Sequence, residues 1–167
     1  MNASRIDELL ADTRRHLERV EPEQLAQELA AGALVVDIRP AADRDAEGPL
    51  PGALVVDRIV LEWRLDPTSP DRVAEADDPE RRVILVCNDS YASSLAAETL
   101  RRIGLSRATD LVGGYRAWRA AEELRWGEEG GDRLAATPDS GPDVGVVEDS
   151  RVSPAAARDP QHAGTQR

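Results

Sequence analysis

The chain has 167 residues, room for one ordinary domain with a sizeable core and a tail. All 21 basic residues are arginine and the net charge is −11, so no basic stripe of the kind that nucleic acid or an anionic membrane surface needs stands out. A lone cysteine, Cys87, excludes an internal disulfide, and with only His16 and His162 to help it cannot assemble a zinc site.

In chain order, the opening M-N-A-S-R-I-D-E lacks the basic-then-apolar order of a signal peptide. No apolar run approaches the roughly 20 residues of a membrane span, so a cytoplasmic protein without membrane or nucleic-acid partners is expected. Ile6, Leu9, Leu10, Leu17 and Val20 recur on one side of a helical pattern, which predicts an amphipathic helix over residues 1–20. Pro22, Leu25 and Leu29 predict a second short helix that stops at Gly32. The runs A-L-V-V-D-I (33–38), A-L-V-V-D (53–57) and V-I-L-V-C (83–87) are branched and apolar without alternation, the pattern of parallel strands covered on both faces. Turn-rich segments at 47–52 and 66–71 separate them, giving the order strand, loop, strand, loop, strand, helix. The helix is expected over 93–103, stopping at Gly104; a short strand over 109–112 and a helix over 115–126 close the domain. Residues 127–167 are rich in Gly, Pro, Asp, Ser and Ala and read as a disordered acidic tail.

Cys87 therefore ends a predicted central strand just before a helix, at the edge of a parallel sheet where ligands bind. A turn there directs backbone N–H groups inward, and the helix start adds partial positive charge, a setting that suits an anion or a thiolate. Position alone leaves two readings open: a reactive thiol, or a buried strand-end residue that behaves as a small hydrophobe.

Three stretches carry a resemblance: D-I-R-P (37–40) followed by G-P-L-P-G-A (48–53), V-C-N-D-S-Y-A-S (86–93), and L-V-G-G-Y-R-A-W (111–118). Together they resemble a rhodanese-like (sulfurtransferase) domain, spanning residues 21–126. The resemblance implies an α/β three-layer sandwich around a mostly parallel five-stranded sheet, here with the extra N-terminal helix. It implies Cys87 as the residue that becomes a persulfide, and Asn88, Asp89, Ser90, Tyr91, Ala92 and Ser93 as the loop around the outer sulfur. Asp37 and Arg39 match a strand-end Asp-x-Arg and are expected to form an internal salt bridge supporting the site, with Gly113, Gly114 and Trp118 serving turns and packing. The partners implied are a small-molecule or protein sulfur donor and a thiol acceptor, with no cofactor or metal; the sequence leaves the oligomeric state open.

The chain departs from the family pattern in three ways. Ser90 stands at the usual glycine place, Pro49 replaces a histidine, and no Arg or Lys occurs between Cys87 and Arg101. Asp89 adds a negative charge, so a loop without a compensating cation is expected to disfavour a dianionic donor such as thiosulfate. A phosphatase of the same fold would need an arginine at the sixth position after the cysteine to clamp phosphoryl oxygens; that position is Ser93. The remaining alternative is a non-catalytic rhodanese-like module that binds a partner or senses oxidants through its thiol.

Overall fold

The computed structural model describes residues 4–133, with side chains through Trp126. The elements are α1 (Arg5–Arg15), α2 (Leu25–Ala30), β1 (Leu34–Asp37), α3 (Ala41–Glu47), β2 (Leu54–Val55), α4 (Leu61–Leu65), β3 (Val83–Val86), α5 (Tyr91–Arg102), β4 (Ala108–Asp110) and α6 (Gly114–Arg133). Short 3-10 turns at Pro22–Gln24 and Arg58–Val60 lead into α2 and α4.

The strands form one sheet in the order β2-β1-β3-β4, with every pair parallel. Along β1 and β3 the side chains alternate between two cores, because successive strand residues point to opposite faces. Leu34, Val36, Val83 and Leu85 meet Leu61 and Leu65 of α4 and Ala96, Ala97 and Leu100 of α5. Val35, Ile84 and Val86 meet Leu25, Leu50, Leu111 and Tyr115 on the other face. Burial on both faces explains why these strands read as unbroken apolar runs. The result is a three-layer α/β domain.

Four expectations need correction. The sheet has four strands rather than five; next to β4 lies a single parallel bridge between Val20 and Leu111. There the Val20 amide donates to the Asp110 carbonyl at 3.1 Å and the Val112 amide to the Val20 carbonyl at 2.8 Å. The N-terminal helix consequently ends at Arg15 rather than at residue 20, because Val20 is drawn into the sheet edge. The connections read as loops hold α3 and α4: α3 buries none of its residues and so carries no apolar stripe, while α4 shows only the pair Leu61 and Leu65. Finally, α6 continues past Trp126 to Arg133; the rest of the tail read at 127–167 lies outside the described residues.

Candidate active site

The strand register brings the chemistry-bearing residues to one edge. Asp37 pairs with Val86 and Asp110 with Leu85, so Asp37, Cys87 and Asp110 all stand at the C-terminal ends of neighbouring strands. Cys87 is a free thiol, 8% exposed, with Sγ 3.2 Å from the Ser93 hydroxyl.

Of the expected loop, Asn88, Asp89 and Ser90 form the turn proper, while Tyr91, Ala92 and Ser93 are already the first turn of α5. Helix geometry leaves the first amides of α5 without an intrahelical acceptor. Among the described residues, no backbone carbonyl accepts from the amides of Asn88, Asp89 or Ser90 either. The stretch after Cys87 thus offers a run of uncommitted N–H donors and the positive end of a twelve-residue helix.

Ser90 makes this turn possible at a cost. It is the one described non-glycine residue with positive φ (64°), a left-handed conformation that costs an L-residue roughly 1–2 kcal/mol. Glycine's usual place in the loop is thereby explained, and the serine here is gripped by hydrogen bonds. Its carbonyl lies 2.7 Å from the Ser94 hydroxyl, which is also 2.7 Å from the Asp110 carboxylate. The Ser93 hydroxyl is 3.4 Å from the same Asp110 oxygen.

The loop is fixed from below by the start of α6. The Tyr115 and Arg116 amides donate to the carbonyls of Cys87 and Asn88 at 2.8 and 3.2 Å. So close an approach needs Gly114, with φ of 65°: a Cβ there would sit 2.4 Å from the Cys87 carbonyl oxygen and 2.6 Å from that of Asn88. The glycines of L-V-G-G-Y therefore serve backbone geometry, as expected. From α3, Asp43 accepts from the Asn88 side-chain amide at 2.6 Å.

Asp37 and Arg39 form the expected internal pair. The Arg39 Nε and Nη2 donate to the Asp37 carboxylate at 2.7–3.1 Å, Nη2 also reaches the Gly48 carbonyl at 2.9 Å, and the guanidinium lies 3.5 Å from the centre of the Tyr115 ring. Burial works against the Arg39 charge, but the hydrogen bonds and charge of Asp37 outweigh it and raise the arginine's pKa above its ordinary value.

The charge around Asp89 departs from the sequence reading. No cation lies within the loop, yet Arg116 of α6 donates to the Asp89 carboxylate at 2.8 Å and to Glu47 at 2.8 Å. These contacts, the Glu47 hydrogen bond foremost, hold the Arg116 pKa above its ordinary value. Asp89 is therefore not an uncompensated charge. Sequence reasoning also missed Asp43, Ser94, Asp110 and the N-terminal Arg14 and Arg19, which come from other elements and share no local pattern with Cys87. Among the described residues, no group of three or more His, Cys, Asp or Glu could hold a metal ion. Nor, among them, is any helix long and apolar enough to cross a membrane.

Residues 21–121 match the model of the rhodanese-like domain. The chain belongs to the rhodanese-like family. It is 34% identical over 101 residues to the thiosulfate sulfurtransferase GlpE of Stutzerimonas stutzeri (strain A1501), covering 60% of this chain and 84% of that one. Among solved structures it resembles the human single-domain sulfurtransferase TSTD1, with a TM-score of 0.53 and 28% identity over 61% of this chain and 95% of the other. It also resembles a Rhodopseudomonas palustris CGA009 protein of unknown function, described as a possible tyrosine phosphatase, with a TM-score of 0.64 and 26% identity over 73% and 94% of the two chains.

Proposed function

We propose that this rhodanese-like protein is a sulfurtransferase that carries a sulfane sulfur as a persulfide on Cys87. The observation behind the reading is the setting of the thiol. It directly follows β3, beside uncommitted amides of Asn88, Asp89 and Ser90, faces the first turn of α5, and has the Ser93 hydroxyl within hydrogen-bond reach. Such a cradle stabilises negative charge on sulfur without a general base, and among the described residues the one histidine, His16, bonds the Asp12 carbonyl on α1.

In the first step the Cys87 thiolate attacks the outer sulfur of a donor such as thiosulfate. A new S–S bond forms, the donor's S–S bond breaks, and sulfite leaves with the electron pair. The terminal persulfide sulfur then carries the negative charge, within reach of the loop amides and the helix start. In the second step an acceptor thiolate attacks that outer sulfur, and Cys87 leaves as the thiolate. Neither step builds a tetrahedral oxyanion, so no separate oxyanion hole is required. The partners on this reading are a small-molecule or protein donor and a thiol acceptor, and the reaction needs no cofactor.

A phosphatase reading lacks its clamp: the sixth residue after Cys87 is Ser93, fully buried with its hydroxyl turned to sulfur and Asp110. The test is intact mass after incubation with thiosulfate and, separately, glutathione persulfide. A gain of one sulfur atom that cyanide or a thiol removes is expected. No adduct with either donor would favour the binding or redox-sensing module instead.

A further inference from the structure

The geometry points to Arg14 and Arg19, from the segment before the matched residues 21–121, as positioning residues that hold the Cys87 loop in its working shape through Ser90. The inference rests on the sulfurtransferase reading for its consequence and on the contacts below for its substance.

Ser90 is 3% exposed and sits at φ 64°, ψ 19°, a conformation that glycine adopts freely and serine does not. Two guanidinium groups grip it. Arg14 Nη2 donates to the Ser90 carbonyl at 2.8 Å and reaches its hydroxyl at 3.2 Å, while Arg14 Nε donates to the Ser94 hydroxyl at 3.1 Å. Arg19 Nη2 donates to the Ser90 hydroxyl at 3.1 Å, and its Nε pairs with Asp110 at 2.8 Å. Arg14 leaves the last turn of α1 and Arg19 the segment leading to the Val20 bridge, so two separate anchors converge on one loop residue.

Proton counting gives the arrangement its logic. The Ser94 hydroxyl has one hydrogen and two acceptors, the Ser90 carbonyl and Asp110. With Arg14 serving the carbonyl, that hydrogen is left for Asp110. The Ser93 hydroxyl likewise has one hydrogen, and its neighbours are the Cys87 sulfur and Asp110. With Arg19 and Ser94 serving Asp110, the Ser93 hydrogen is left for the sulfur. The two arginines thus hold the turn that aims the amides and keep the one hydroxyl beside sulfur available to it.

The test uses the full chain with Arg14→Ala/Arg19→Ala, with Arg14→Ala alone as a milder variant that keeps the Asp110 pair, and with Ser90→Gly added to each. Amide hydrogen exchange over residues 94–97, the first amides of α5 with intrahelical acceptors and so the ones that report opening of the loop end, is expected to quicken by roughly tenfold in the double variant and about threefold in the single one. The kcat for sulfur transfer should fall by similar factors, with KM changing less than about twofold, because the arginines shape the loop rather than bind the donor. Adding Ser90→Gly should restore roughly half or more of the lost kcat and slow exchange again, since glycine holds the left-handed turn without the grip. A loss that ignores the glycine, or loop exchange and kcat unchanged in the double variant, would overturn the proposal. A parent that never forms a persulfide while its loop exchange responds as described refutes the sulfurtransferase reading and leaves the positioning role intact.

Discussion

Arg39→Met removes a charge from the most deeply buried ion pair among the described residues, and its effect can be worked from the contacts. The side chains of Arg39 and Asp37 are 0% and 1% exposed. The substitution keeps a long apolar stem over Tyr115 but strips the Asp37 carboxylate of its Nε and Nη2 donors, leaving it only the Arg39 main-chain amide at 3.0 Å. It also deprives the Gly48 carbonyl of its Nη2 donor. Removing one partner of a buried pair costs about 3–5 kcal/mol, because the other charge stays buried without compensation. For a domain of this size that corresponds to a fall in Tm of roughly 10–20 °C. Urea unfolding, read as a midpoint change at constant slope, measures it directly. Replacing both partners, as Asp37→Leu/Arg39→Met, removes the stranded charge and should recover a large part of the loss. A single variant within about 1 kcal/mol of the parent, or a double variant whose loss is the full addition of two single losses, would refute the reasoning.

Gly114→Ala should be as damaging to the site as to the fold. The new Cβ would fall 2.4 Å from the Cys87 carbonyl oxygen at a positive φ, so a melting point close to the parent's together with unchanged sulfur transfer would contradict the close-approach argument. Arg116→Ala leaves Asp89 and Glu47 without their shared cation and should lower kcat/KM for dianionic thiosulfate by roughly two- to fivefold at low salt, with little effect on a low-charge persulfide donor. Because Arg116 already offsets Asp89, Asp89→Asn should raise thiosulfate turnover by no more than about threefold; equal responses of both donors to these changes would show that the charges do not act on the donor.

The central strands and the site cysteine were legible in the sequence because burial on both faces writes unbroken apolar runs, as in V-I-L-V before Cys87. Edge pieces were not. Leu17 and Val20 continue the spacing of α1, yet they are buried in the two different cores beyond its end, so periodicity merged a helix with a sheet edge. Ile6 and Leu9, counted on the same stripe, are more than half exposed, and Leu10 and Thr13 are the residues α1 buries. The charge balance of the loop was hidden for another reason. Arg14, Arg19 and Arg116 reach it from elements distant in the chain, and only the fold brings them together. Ser90 in a glycine's place was visible as an oddity, but its remedy lay outside the family-matched residues.

The most direct test of the persulfide account is a single-turnover experiment with thiosulfate labelled at its outer sulfur, followed by digestion and recovery of the Cys87 peptide. The account predicts label on that peptide before an acceptor thiol is added, and its transfer to the thiol at the rate at which the peptide loses it. It also predicts neither event in Cys87→Ser. Label reaching the acceptor without passing through Cys87, or transfer persisting in Cys87→Ser, would contradict it.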